Sequence, residues 1–390
     1  MKLDIFAEMQ QPREIWDGDD HEHRLVQETL EQARLADEAG YGCLWMVEHH
    51  GAEEFSYSSA PEVMLAAIAQ QTRRMRIGHG AVLGLHAINH PIRIAERAAM
   101  LDHVSGGRLE VGLTRSGVPE WRLFDVNPEH ARGQLQETYE MLPRIWTEPR
   151  FSWKSPAFTV DNVAVVPKPL QKPHPPLWQA GVTPAAFDQA GRNGVGVLAT
   201  TMLASIETVA KLVALYRSSI AACERPVGKF INNQVANFTF VHCARSAKEA
   251  RENACASAVA WYIRTAGEFF EVAEIYKHMA AEAMAAAAGD SLAGKFVRDN
   301  AAAPVPRAQA LIGRIMLGER VPEDEMFETL IAEHSLIVGT PDECRKKLRT
   351  YQELGIDRLM CLHQVGGIRH DKVMTSIRLF GELIPEFDRA

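Results

Sequence analysis

Apolar and polar positions along this chain fall into blocks that keep switching period. Short apolar or alternating runs give way to longer stretches with a repeat near 3.6, and then the short runs return. Leu3–Met9 reads as a first strand. Residues 21–39 read as an amphipathic helix with Leu25, Leu30 and Ala33 on one face and Gly40 just past its end. Gly42–Val47 is a second strand, and Pro61–Thr72 a helix opened by proline. Met75–Leu83 is a third strand, with glycine at 78, 80 and 84, and Pro91–Val104 is another proline-opened helix. Arg108–Leu113 is a fourth strand, and residues 130–146 are helical. The rhythm resumes with Pro176–Ala180 (strand), Thr183–Arg192 (helix), Gly196–Thr200 (strand) and residues 204–223 (helix). Asn232–Cys243 and Asp357–His363 are the last two strands, and a helix over 370–386 closes the chain.

Two segments break the pattern. Residues 150–176 are rich in proline and carry a β-like stretch, Ala157–Val166, which predicts a surface insertion. Residues 262–335 are helical, alanine-rich near 280–288 and interrupted by the loop Ala301–Pro306. They are too long for one barrel helix and predict an added helical lid. Strands alternating with helices predict parallel strands covered by helices. Eight such repeats predict an α/β chain closed as a (β/α)8 TIM barrel with insertions, one domain over residues 1–390. No sequence repeat points to a solenoid.

Composition narrows the class. The 390 residues are 46% hydrophobic and 24% charged, enough for a large core. The net charge of −8 offers no basic face for nucleic acid. Cysteines at 43, 223, 243, 255, 344 and 361 are scattered without a C-x-x-C pair, which argues against a disulfide scaffold or zinc ribbon and for a reducing, cytoplasmic setting. The N-terminal residues show no signal-peptide pattern, and no apolar run reaches the length of a membrane helix.

In a barrel the chemistry sits at the C-terminal ends of the strands. There the sequence places Glu8 and Gln10, Glu48-His49-His50, Thr114-Arg115-Ser116-Gly117, Gly181-Val182-Thr183-Pro184, His242 and Cys243, and His363 and Gln364. Thr183 followed by Pro184 is a helix N-cap, and a helix N-terminus with free N–H groups favours phosphate. Gly181 would allow close backbone approach and Arg115 a bidentate charge. The same residues also fit an ordinary strand-to-helix turn. His49 is placed for proton transfer near neutral pH. Adjacent strand residues face opposite ways, so His49 and His50 do not share a metal easily, and no zinc spacing is present. Both could also be plain loop residues. Glycines within the third strand mark either close approach by a ligand or a bulge. His90, just before Pro91, reads as a capping or packing residue.

Four stretches carry a resemblance: "DEAGYGCLWMVEHH", "APEVMLAAIAQQTRRMRIGHGAVL", "HPIRIAERAAMLDHVSGGRLEVGLTRSG" and "IVGTPDECRKKL". In this order and spacing they resemble the bacterial luciferase-like (alkanal monooxygenase-like) family of flavin-dependent monooxygenases. The resemblance implies FMN, reduced by a separate NAD(P)H:flavin reductase, bound at the barrel mouth. Dioxygen then adds as a C4a-peroxyflavin, which oxygenates a small apolar organic substrate. It implies that His49 is catalytic and that Arg115 holds the flavin phosphate. Gly181, Val182 and Thr183 would cap that phosphate, and Gly80-Ala81 would form a cis peptide beneath the ring. No metal is implied. Glu48 is a candidate to orient His49, although strand alternation argues against contact. Thr114 and Gly181 stand where the light-emitting subunit has cysteine and an acidic residue, so light emission is not implied.

Alternatives are an F420-dependent oxidoreductase on the same barrel, a flavin binder without chemistry, and a metal-dependent hydrolase. The resemblance also implies a homodimer. Ala66, Ala67, Ala95, Ala98 and Ala99 are candidates for its surface, or for packing on the barrel. Pocket candidates are Trp45, Phe55, Tyr57, Met202, Trp261, Tyr262 and Phe269.

Overall fold

The computed structural model describes the chain except residues 17, 201–204, 254, 334, 389 and 390, with the backbone alone at 255, 272, 273, 275, 276 and 316. Eleven strands are present among the described residues. They are β1 (Lys2–Ala7), β2 (Cys43–Met46), β3 (Arg76–Leu83), β4 (Leu109–Thr114), β5 (Phe151–Lys154), β6 (Thr159–Val163), β7 (Leu177–Ala180), β8 (Gly196–Thr200), β9 (Val235–Cys243), β10 (Leu336–Gly339) and β11 (Arg358–Leu362). Eight of them form a parallel ring in the order β1-β2-β3-β4-β7-β8-β9-β11, which returns to β1. The ring closes where β8 pairs with β9, Val197 opposite Val235 through Thr200 opposite Phe238. The expected (β/α)8 barrel is therefore what the chain builds.

The helices form where capping predicts them. Gly40 ends His21–Ala39 in the left-handed conformation, with Leu25 and Ala33 buried beneath. His90 is the N-cap of Pro91–Val104, its Nδ1 accepting from the Ile92 amide at 3.2 Å. Most strand limits shift by one to three residues from the expected ones. β1 stops at Ala7 rather than Met9, because the backbone turns left-handed at Met9 (φ 56°).

Three elements were not anticipated. β10 extends the pairing of β9 past the point where β8 leaves it, Leu336 opposite Phe240 through Gly339 opposite Cys243. The proline-rich insertion is a two-stranded antiparallel hairpin of β5 and β6, whereas only its second half reads as β-like in sequence. A short helix, Val118–Leu123, follows β4 directly.

The barrel floor explains the strand glycines. The Trp45 indole lies against Gly78, where an added Cβ would stand 2.4 Å from the ring. Trp178 lies against Gly196 in the same way, at 2.3 Å. Gly78 thus admits an indole, not a ligand. Each indole N–H is held by a buried carboxylate: Trp45 Nε1 donates to Asp4 at 2.9 Å, and Trp178 Nε1 to Glu110 at 2.7 Å. Asp4 also takes Nε and Nη2 of Arg358, at 2.7 and 3.0 Å. The lower barrel is therefore a filled core, and open space remains only above it.

Above the mouth sit the inserted helices Cys255–Phe269, Val272–Ala287, Leu292–Asn300, Arg307–Met316 and Glu323–Ala332. Among the described residues no helix is long and apolar enough to cross a membrane.

Candidate active site

A cavity of about 400 Å³ opens at the C-terminal mouth of the barrel. Its floor and walls come from strand ends: Phe6 of β1 and Glu8 just past it, Val47 to His49 after β2, and Gly80, Ala81 and Leu83 of β3. Thr114 to Gly117 follow β4, and Gln179 to Thr183 lie at the end of β7. The inserted helices supply the roof, with Tyr262, Ala266, Phe270, Met279, Glu282 and Ile312. All seven residues singled out as a site line this one space: His49, Gly80, Ala81, Arg115, Gly181, Val182 and Thr183. The Gly80–Ala81 peptide is cis.

His49 is held by a residue the sequence reading missed. Its Nδ1 lies 3.2 Å from Oε1 of Glu120, on the short helix Val118–Leu123. Glu120 is fully buried and also accepts from the His50 amide at 3.0 Å and from the Ser116 hydroxyl. Burial alone would raise its pKa. The hydrogen bonds from His49, Ser116 and the His50 amide outweigh that and hold it below the usual carboxylate value. An ionised Glu120 accepts from Nδ1–H, which leaves Nε2 of a neutral ring as the free nitrogen. Phe55, Phe269 and Phe270 surround the imidazole at centroid distances of 5.4 to 5.6 Å. Glu48 does not orient His49. It faces the other way, taking His50 Nε2 at 3.0 Å, the Leu83 amide at 2.9 Å and Asn89 Nδ2 at 2.8 Å. The hydrogen bond to Glu48 raises the pKa of His50. The two histidines thus have separate carboxylates, and among the described residues no three His, Cys, Asp or Glu side chains gather as a metal site.

Arg115 is joined by a second cation that the sequence reading did not name. Arg132, on the helix Pro128–Thr147, converges with it on one anion. That anion is Glu282 Oε1, 2.7 Å from Arg115 Nη1 and 3.0 Å from Arg132 Nη2. Glu282 comes from the roof helix Val272–Ala287, and its Oε2 is buried without a partner. Beside this pair the helix Pro184–Asn193 begins, with Thr183 as N-cap accepting from the Ala186 amide at 3.2 Å. Gly181 lines the cavity and also lets the helix pack closely: a Cβ there would stand 2.4 Å from the Ala186 methyl. Two arginines converging beside a helix N-terminus fit a phosphate dianion.

Of the seven pocket candidates, Tyr262 lines the cavity. Trp45 is part of the floor, and Phe55 and Phe269 stand behind His49. Tyr57 and Trp261 are half-buried and do not line it. Met202 lies outside the described residues. His242 and His363 are buried away from the cavity, bonded to Asn253 and to Ser376 and Tyr41.

The family model for luciferase-like monooxygenases matches residues 1–358. The chain belongs to that family. It is 28% identical over 228 residues to the oxygenase component of the flavin-dependent trigonelline monooxygenase of Acinetobacter baylyi, covering 58% of this chain and 60% of that one. Across the first curated relatives, the matched stretch spans about half of their length. Among solved structures it resembles the monooxygenase RslO1 of Streptomyces bottropensis, at 26% identity and TM-score 0.74, covering 99% and 100% of the two chains. The fold is shared with the oxygenating constituent of 3,6-diketocamphane monooxygenase of Pseudomonas putida in complex with FMN (15%, TM-score 0.71, 98% and 97% covered). It is shared equally with an F420-dependent secondary alcohol dehydrogenase (17%, TM-score 0.68, 100% and 99% covered). Family members on this barrel thus include flavin-dependent monooxygenases, and the barrel itself also serves F420.

Proposed function

We propose that this chain is the oxygenase of a two-component monooxygenase. It takes reduced FMN from a separate NAD(P)H:flavin reductase and uses dioxygen to oxygenate a small apolar organic substrate. We propose further that it is a cytoplasmic homodimer whose single domain carries the helical lid. One observation carries the reading: a paired histidine–carboxylate and a two-arginine anion site open into the same roofed cavity. Similarity to the oxygenase component of the flavin-dependent trigonelline monooxygenase supports the flavin branch and the reductase partner.

Arg115 and Arg132 would hold the FMN phosphate with the N-terminal amides of the helix Pro184–Asn193, and Glu282 would yield the arginines to it. Gly181, Val182 and Thr183 would flank the phosphate, and Gly80 and Ala81 would lie under the ring. When bound, reduced FMN supplies two electrons to dioxygen, so that one oxygen atom goes to the substrate and one to water. His49 moves a proton at Nε2, and Glu120 fixes its tautomer and stabilises the ring when it is charged. The roof, with Tyr262, Ala266, Phe270 and Met279, keeps water from the reaction.

The test is to mix the protein with reduced FMN under anaerobic conditions and then with oxygenated buffer. The reading expects a lag before oxidised flavin appears, far longer than for free reduced FMN. Reoxidation at the free-flavin rate, together with tight binding of F420, would overturn it in favour of hydride transfer.

A further inference from the structure

Glu8 takes no part in the steps above. It stands at the end of β1, on the cavity wall, and is 4% exposed. Its Oε2 accepts from Gln10 Nε2 at 2.6 Å, and its Oε1 accepts from the Tyr262 hydroxyl at 3.2 Å. Both donors are neutral. A charged His49 would oppose the effect of burial on Glu8. A carboxylate offers about four acceptor positions, and two are filled here. Burial raises the Glu8 pKa to about 7, against the smaller opposing effects of His49, Gln10 and Tyr262. An uncharged side chain would brace Gln10 and Tyr262 with far less desolvation, so a carboxyl at this place points to a ligand.

The surroundings specify that ligand. Phe6 and Phe238 stack at 4.6 Å with a 13° interplanar angle, and both line the cavity beside Glu8 with Met360 and Tyr262. A flat, conjugated molecule suits such walls. In the ring order, β1 lies across the barrel from β7, so Glu8 faces the arginine end from the far side. An acidic hydroxyl is the donor that shares a proton best with a buried carboxylate.

We propose that Glu8 is a specificity-determining residue that accepts a hydrogen bond from a phenolic or enolic hydroxyl on an otherwise apolar, ring-bearing substrate. The identification of this ligand as a substrate rests on the monooxygenase reading above.

The experiment is isothermal titration calorimetry on the full chain, with and without oxidised FMN. The probes are 4-propylphenol, its methyl ether, propylbenzene and benzyltrimethylammonium. The phenol is expected to bind about tenfold or more tighter than the ether and the hydrocarbon. Glu8→Leu should abolish the difference and Glu8→Gln should narrow it, with FMN affinity unchanged in both. The isosteric glutamine variant covers the case in which the leucine variant misfolds. Equal binding of phenol and ether, no binding of phenol, tighter binding of the ammonium probe, or a preference that survives Glu8→Leu would each overturn the proposal. Failure of FMN to bind in both its oxidised and its anaerobically reduced form would instead sink the cofactor reading, and the phenol preference of the chain alone would still decide the role of Glu8.

Discussion

Glu120 and Glu8 are both buried carboxylates within reach of His49, and their surroundings push them in opposite directions. Glu120 collects three donors and stays ionised. Glu8 has two neutral donors and sits near neutrality. Such a divergence marks division of labour between an orienting anion and a group that can gain or lose a proton. Two predictions follow at this scale. Replacing His49 by Ala should lower substrate-coupled oxygen consumption by about 10²–10⁴-fold, with FMN binding retained. Glu120→Gln should lower it less, by about tenfold or more, and unchanged turnover in either variant would remove the pair from the mechanism. The second prediction concerns stability. Glu8 is protonated more readily in the folded chain (about 7) than at its ordinary 4.5. The unfolded chain therefore loses this proton first, and stability falls as pH rises from about 4.5 to about 7. Glu8→Gln should raise Tm at pH 8, by an amount equivalent to at most about 3 kcal/mol, and the gain should vanish near pH 4.5. A gain that persists in acid would mean that the buried charge is not its source.

The elements bring together what the sequence keeps apart. The roof helix Val272–Ala287 reaches the arginines through Glu282, and Glu271 just before it takes both Arg122 nitrogens at 2.8 and 2.9 Å. The roof is therefore tied down at two ion-paired points, Glu282 to Arg115 and Arg132, and Glu271 to Arg122 on the short helix Val118–Leu123. If Glu282 competes with a phosphate for Arg115 and Arg132, Glu282→Gln should tighten FMN binding several-fold. Riboflavin, which lacks the phosphate, should bind with unchanged affinity. Equal effects on both, measured by fluorescence quenching, would assign Glu282 a role in lid packing alone. This arrangement was only partly legible in the sequence. Strand ends and caps are local, so His49, Arg115 and Thr183 could be found from alternation and from the Thr-Pro pair. Glu120 meets His49 across 71 positions, on a six-residue helix too short to show periodicity. Pro119 followed by an acid in a first helical turn was its only local signal. Arg132 and Glu282 read as ordinary helix-surface charges until the roof folds over. β10 was lost because its four apolar residues end a long helical tract. At Gly78 and Gly181 the sequence signals close approach by a ligand, and the fold shows another cause of the glycine at each. What approaches is the chain's own Trp45 and Ala186.

At the scale of the whole molecule, the eight-stranded ring closes on itself and leaves no edge of its own for strand-to-strand association, so the proposed homodimer is expected to form through helices. The five alanines first considered for it do not serve equally. Ala95, Ala98 and Ala99 are covered by the chain's own fold, while Ala66 and Ala67 are partly exposed. What the two neighbouring helices Pro61–Gln71 and Pro91–Val104 expose instead is larger: Val63 at 66%, Met100 at 55% and Val104 at 37%. Gln70 Nε2 donates to the Val104 carbonyl at 2.7 Å and locks the two helices into one surface. Isolated exposed apolar residues are normal, and a stable interface needs about 1,200–2,000 Å² in total. These three would be its apolar centre and not its whole extent. Light scattering at micromolar concentration is therefore expected to give twice the 43.4 kDa chain mass. Met100→Asp, which places a charge at the centre of that patch, should shift the population to monomer by raising the dimer Kd at least tenfold. Because Met100 lies outside the cavity lining, FMN affinity should hold in the monomer. A wild-type monomer would discard the dimer, and a dimer that survives Met100→Asp would move its interface to another face.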